Sequence, residues 1–371
     1  MALHHQIREA VVEIGIISSS KIVRSFFQAT VQDALHFTVH ISDNPEAPPT
    51  AHDVYTTGSI GHHPVLLADI HDADQASAAA LALRFYSRYP HLKVVFLVGI
   101  CGGMPTDKEN NDIMLGDVII GKSVVQHGFG RMYPDGFAMK HGAEDRAARQ
   151  GHRLESFVAK LESMTEALER QMQPHLRRIF QSGKDGADYS GLHEDRCFVS
   201  SYQHKHHSAT DSLCTNDGVC CFRVTQTSCE QLKYDPQYLQ FRNSDRYQSA
   251  RHSKIHFGTI ASGNVSIQQA CERDKLFKST DTIGIDVETA AVWDYVPCIP
   301  IKGVAHYSDG HQSGNWELHA AAIATACAMA CLELWQKSTS QISQGPPAVI
   351  PNYELKGYDH KMIAETGRAK K

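Results

Sequence analysis

VVFLVGICGGMP, Val94 to Pro105, is the stretch from which the fold can be read. Its first five residues, Val94 to Val98, are apolar without alternation, the pattern of a strand buried on both faces. Gly99, Gly102 and Gly103 follow and predict a tight turn at the strand's carboxyl end, where open α/β sheets bind ligands. The spacing lacks the Gly-Lys-Ser/Thr of a Walker A loop and the G-x-G-x-x-G of a dinucleotide site. Taken alone, the glycines could serve geometry only.

Working outward, a polar loop at 106–112 leads to a second apolar strand in Leu115-Gly116-Asp117-Val118-Ile119-Ile120. Upstream, Val11–Ser20 reads as a strand, Lys21–Ala34 as a helix, Asp53–Ile70 as a hairpin turning at Gly61, and Gln75–Tyr89 as a small-residue helix ending before Pro90. Downstream, apolar residues from Leu154 to Met172 recur at helical spacing and predict one long amphipathic helix over Gly151–Phe180. Lys254–Ile260 and Ile301–Ala305 read as strands, with a helix starting at Thr289–Trp293 between them. Trp316–Gln336 is apolar nearly all round, so it must be buried or lie at a subunit contact.

The strand, glycine-rich stretch and LGDVII, together with Tyr55–Ile60, Phe257–Val265 and Gly284–His311 in the same order, resemble the nucleoside phosphorylase and nucleosidase superfamily. The likeness is closest to the branch found in filamentous fungi as a domain of NLR-type receptors, and it covers roughly residues 9–135 and 253–336. It implies a single α/β domain over residues 1–340, with a central mixed β-sheet flanked by helices. A His/Cys-rich insertion at about 140–250 and a C-terminal tail at 341–371 complete the expected layout. Val94–Val98, Val118–Ile120, Lys254–Ile260 and Ile301–Ala305 are expected as neighbouring core strands.

Composition narrows the function classes. The chain has 371 residues, 42% hydrophobic and 21% charged, enough for one large domain. A net charge of −5 gives no electrostatic case for nucleic acid or an anionic membrane. With no secretory signal and no uninterrupted run of eighteen apolar residues, the ten cysteines are expected as reduced thiols in a cytoplasmic protein. The 23 histidines lie mostly in loops and are expected at a solvated surface. Cys197, His204, His206, His207, Cys214, Cys220, Cys221 and Cys229 are metal-ligating types, but they form no C-x-x-C pair. No metal and no cofactor is therefore expected.

The resemblance implies chemistry at the bond between ribose C1′ and a base nitrogen, through an oxocarbenium-like state. Its ribose-holding Glu falls on Glu288, with Val287 where the family has Met. A carboxylate suits a diol because it accepts two hydroxyl hydrogen bonds, although a carboxylate at a helix start is also favoured by the dipole. The family's leaving-group acid, an Asp, falls on His306 in Ala305-His306-Tyr307-Ser308-Asp309, with Asp309 retained outside that role. Histidine can act as acid or base near neutrality, or simply fill space. The water-activating Glu of the hydrolytic members falls on Val23, and the Arg and Ser of the phosphorolytic members fall on Leu97 and Ile100. Ser18, Ser19, Ser20, Lys21 and Arg24 form either an anion site at a helix start or an N-cap run. Ser262, Gly263, Asn264 and Val265 match the family's base-lining turn, and Gly102 and Gly103 are expected beside the substrate.

Three functions are compatible with these residues. The first is a diverged enzyme acting on a small molecule by His306-assisted acid/base chemistry, for example cyclisation or isomerisation, with Glu288 at the site. The second is a purine nucleoside phosphorylase or nucleosidase. The third is a non-catalytic ligand-sensing domain. A homodimer or higher homo-oligomer, with a small-molecule substrate as the other partner, is expected in each case. His306, Glu288 and Gly102 are expected to converge because carboxyl ends of strands share one rim, with the insertion as a cover.

Overall fold

The computed structural model describes residues 12–31, 38–40, 55–60, 63–71, 74–134, 136–140, 151–182, 195–205, 224, 227–240, 242, 253–311 and 315–339. The strands are β1 Ile14–Ser18, β2 Thr38–His40, β3 Tyr55–Ile60, β4 His63–Asp69, β5 Val94–Gly103, β6 Val118–Gln126, β7 Gly130–Tyr133, β8 Gly136–Met139, β9 Ile255–Ser262, β10 Thr282–Asp286 and β11 Cys298–His306. The helices are α1 Lys21–Val31, α2 Gln75–Arg88, α3 His152–Ser163, α4 Thr165–Gln181, α5 Ala270–Thr280, α6 Thr289–Trp293 and α7 Asn315–Thr339. The tail at 341–371 and the hairpin turn at 61–62 lie outside the described residues.

Nine strands form one mixed sheet in the order β10-β9-β6-β11-β5-β1-β4-β3-β2, with helices on both faces. The four strands expected as neighbours are neighbours, and Val94–Val98 lies in the sheet interior between β11 and β1. The unalternating run follows from burial on both faces. Val94, Phe96 and Val98 pack with α1, α3, α4 and α7, whereas Val95 and Leu97 pack with α2 and α6.

Three sequence expectations need correction. The glycines do not turn the chain after Val98, because β5 continues straight through them to Gly103. They permit close approach instead: a Cβ on Gly99 would lie 1.9 Å from Ser19 Oγ, and one on Gly102 would lie 1.9 Å from Ser308 Oγ and 2.8 Å from His306 Cε1. The predicted long helix is two helices, broken at Met164 (φ −119°, ψ 22°). Ser163 Oγ and Thr165 Oγ1 donate to the carbonyls of Lys160 and Glu162 there, competing with the helical ladder. Both helices pack into the main core through Leu154, Leu161, Leu168 and Ile179.

The third correction concerns strand direction. β11, β1 and β4 run with β5, but β6 is antiparallel to β11, and β9 and β10 run with β6. The strands bearing the site therefore do not share one rim by running parallel. Closure brings their ends together: β10 also pairs antiparallel with β5, Gly284 opposite Gly103 and Ile285 opposite Gly102. β5, β11, β6, β9 and β10 thus form a closed barrel, and β1, β4, β3 and β2 extend from it as an open wing.

Helix α7 resolves the choice posed by its sequence. Trp316–Trp335 is long and apolar enough to cross a membrane by length and composition, yet 83% of its most apolar window is buried inside this one chain. Its apolarity is satisfied against β5, β11, α1 and α4, and it gives no argument for a subunit contact.

Candidate functional site

The site forms where the barrel closes. His306 is the register partner of Gly102 on one side and Ile285 is its partner on the other, which places the two roughly 10 Å apart across Gly102. Asp286, Val287 and Glu288 follow Ile285 and lead into α6.

Lys302 enters this cluster from β11, although the sequence reading passed over it. Its register partner is Gly99, whose missing Cβ leaves room for the side chain to cross, since an ideal Cβ there would lie 3.2 Å from Lys302 Nζ. The ammonium is fully buried and donates to Glu288 Oε1, with Asp286 Oδ2 at 2.9 Å. Burial pushes the Glu288 carboxyl above its usual range, with Lys302 opposing. Burial alone would lower the Lys302 ammonium, but Asp286 and Glu288 outweigh it and hold the group charged. Asp286 also accepts from Thr289 N at 3.2 Å and from Thr289 Oγ1, which ties the triad to the start of α6. One Glu288 oxygen is thus committed to Lys302 and not to a helix cap. A lone lysine inside the apolar strand PIKGVA was the available signal, because buried lysines are paired.

His306 is half-buried, and its Nδ1 accepts from Ser308 N at 3.1 Å. That bond assigns the ring proton to Nε2. Burial holds the imidazole below its ordinary value, with Asp309 opposing, so the ring is neutral at pH 7. Ser308 itself adopts φ 52° and packs its Oγ toward Gly102. Asp309 is buried, its Oδ1 accepts from His311 N at 3.0 Å, and its Oδ2 has no hydrogen-bond partner among the described residues.

A second imidazole, His127, was also missed. It lies against Gly263, where a Cβ would be 2.7 Å from its Nε2, and that nitrogen is buried without a hydrogen-bond partner among the described residues. Burial lowers its pKa, with Asp286 opposing. A histidine directly after a long strand was too common a feature to single it out.

The remaining expected residues sort by their contacts. Ser262 is fully buried and its Oγ accepts from Ala290 N at 3.0 Å, capping α6. Gly263 N donates to Asp286 O at 3.1 Å. Asn264 Oδ1 accepts from Gln75 N at 3.2 Å at the start of α2, Val265 is 67% exposed and Val287 is half-buried. Ser19 lies beside Gly99 and hence near Lys302. In the expected anion site, Ser20 Oγ accepts from Val23 N at 3.3 Å as an N-cap, while Ser18 and Arg24 both bond Asp69. Arg24 is thereby neutralised locally. Val23 is fully buried in the main core with Phe26 and Phe27.

Described parts of the insertion dock on the segment after β11. Tyr307 OH donates to Asp195 Oδ1 at 2.7 Å, and Arg242 Nη1 donates to Tyr307 OH at 2.7 Å and to Ile113 O at 2.8 Å. Spacing along the chain predicts no metal constellation, yet the structure assembles His204, Cys229 and His311 into one group. His206, His207, Cys214, Cys220 and Cys221 lie outside the described residues. A separate open cleft of about 1010 Å³, bordered by Lys122, Phe129, Glu162 and Lys254, contains none of the expected site residues.

No family model matches the chain. The structure resembles 5′-methylthioadenosine/S-adenosylhomocysteine nucleosidase from Helicobacter pylori with butyl-thio-DADMe-Immucillin-A, at TM-score 0.50 and 11% identity over 90% of this chain and 100% of that one. It resembles S-adenosylhomocysteine nucleosidase from Streptococcus pyogenes with 5-methylthiotubericidin at TM-score 0.50 and 13% identity, over 88% and 98%. The fold is that of the nucleosidases. In sequence, the chain is 25% identical over 280 residues to a nucleotide-binding leucine-rich repeat (NLR)-like protein of the fungus Hyaloscypha variabilis. The match covers 74% of this chain, which spans a quarter of that protein's length.

Proposed function

We propose that the chain is an enzyme that binds a nucleoside-like small molecule at the barrel join and converts it by chemistry other than standard hydrolysis or phosphorolysis. The observation that carries this reading is the pairing of Gly102 with His306 on one side and with the strand leading to Glu288 on the other. Acceptors for a polyol and a neutral imidazole donor thus flank one backbone stretch. Two nucleosidases of this fold that hold nucleoside-like ligands support the ligand class.

The departures from hydrolysis are local. Val23 replaces the water-activating carboxylate and faces the core, not solvent. Leu97 is buried and Ile100 is half-buried, so neither offers a donor to phosphate. His306 presents Nε2–H, and a neutral imidazole polarises or relays a proton more readily than it protonates a departing base outright. Such a group suits an internal rearrangement, in which a proton leaves and returns, as in cyclisation or isomerisation. Glu288, sharing Lys302 with Asp286, supplies the remaining polar anchor.

The test incubates the protein with adenosine, inosine and 5′-methylthioadenosine, with and without phosphate, following free base by chromatography and binding by calorimetry. Binding with no base released supports the proposal, and brisk release of base refutes it. Mass analysis of the recovered ligand separates conversion from mere retention. Retention is the second reading, ligand sensing, and it is favoured by one observation: the relative is an NLR-like protein of which the matched stretch makes up only a quarter.

A further inference from the structure

We propose that His204, Cys229 and His311 bind one zinc ion that fastens the insertion to the loop following β11. His204 Nδ1 and His311 Nδ1 lie 3.3 Å apart, and Cys229 Sγ lies 3.7 Å and 3.6 Å from them. The other nitrogen of each ring faces backbone carbonyls: His204 Nε2 is 3.0 Å from both Val224 O and Thr227 O, and His311 Nε2 is 3.3 Å from Tyr202 O. A carbonyl only accepts, so each Nε2 carries the ring proton and each Nδ1 presents a lone pair. A cation bound between them would satisfy two lone pairs directed at each other and at a sulfur.

The dimensions select the cation. Tetrahedral zinc, with bonds of about 2.0–2.1 Å to nitrogen and about 2.3 Å to sulfur, separates two nitrogens by about 3.3–3.4 Å and nitrogen from sulfur by about 3.5–3.6 Å. The observed triangle is one face of that tetrahedron. Two imidazoles and a thiolate also form a zinc-preferring donor set. Carbonyl groups holding the distal N–H of each histidine are the usual outer support of such sites. His311 is further held by stacking, with its ring centroid 4.1 Å from Phe198 and 5.5 Å from Tyr202. The fourth corner is left for water. Binding converts the Cys229 thiol to thiolate and releases one proton to solvent.

The test uses the full untagged chain, stripped with chelator, reloaded with zinc alone and desalted. About one zinc per chain is expected by elemental analysis, falling to less than about a fifth in Cys229→Ala and His311→Ala. Cobalt(II) loaded in place of zinc should give the intense visible bands of tetrahedral coordination and a thiolate-to-cobalt charge-transfer band. The cobalt spectrum of the wild-type chain decides independently of how well either variant folds. A wild-type chain that retains no zinc, variants that retain it in full, or a cobalt spectrum without the thiolate band would overturn the assignment.

Discussion

Replacing Lys302 by Met keeps the length of the side chain and removes a fully buried ammonium held by Asp286 and Glu288. Two carboxyls then share an apolar pocket, and one of them takes up a proton rather than stay charged. An unfolded Glu ionises at about pH 4.3, so keeping it protonated at pH 7 costs about 1.4 kcal/mol per pH unit, roughly 3.7 kcal/mol in all. That agrees with the roughly 3–5 kcal/mol lost when one member of a buried ion pair is removed. In the variant the folded carboxyl has a pKa raised above its unfolded value. The deficit is therefore small near pH 4–5 and grows as the pH rises. The lysine's own contribution has the opposite form: its raised pKa gives stability that is present below the unfolded value of about 10.4 and constant across this range. Guanidinium unfolding of wild type and Lys302→Met at pH 5 and pH 7 reads both quantities. The deficit should be larger at pH 7 by about 2.7 kcal/mol. An equal deficit at the two pH values, or a loss below about 1 kcal/mol at pH 7, would refute the buried-triad reasoning.

His306→Ala should lower turnover of whichever substrate the nucleoside panel identifies by about a hundredfold or more. The acid limb of the wild-type pH profile should fall below the ordinary imidazole value of about 6.5, since burial depresses His306, and it should vanish in His306→Gln. Val23→Glu, which on the family pattern would restore a water-activating group, should instead cost roughly 3 kcal/mol or more in denaturant unfolding and create no hydrolysis, because it buries an unpaired carboxyl in the main core.

Local pattern carried most of the fold. The runs at Val94–Val98, Val118–Ile120, Lys254–Ile260 and Ile301–Ala305 declared themselves as core strands because burial on both faces leaves an unmistakable apolar signature. Strand direction and barrel closure were not legible, since both depend on pairing between residues as distant as Gly102 and Ile285. Glycine misled for a physical reason: it marks tight turns and close contacts alike, and at 99 and 102 the contact is what matters. Glu288 and His306 stood out as differences set against a family pattern, whereas Lys302 and His127 matter through neighbours that only the folded chain supplies. The zinc ligands come from three separated segments, so no spacing rule could have gathered them.

The barrel's join consists of two register pairs, each with a glycine in it, next to a Met104 N–H that donates to Ile283 O at 2.9 Å. Everywhere else the barrel strands are laced by longer ladders, from three paired positions up to eight. A closed cylinder opens first along its shortest lacing. Here that line runs between the strand bearing His306's neighbour Gly102 and the strand leading to Glu288, so loosening it would part the two halves of the pocket without unfolding either. Entry of a ligand and breathing of the cylinder would then be a single movement, and the fold would need no separate lid to admit what it binds.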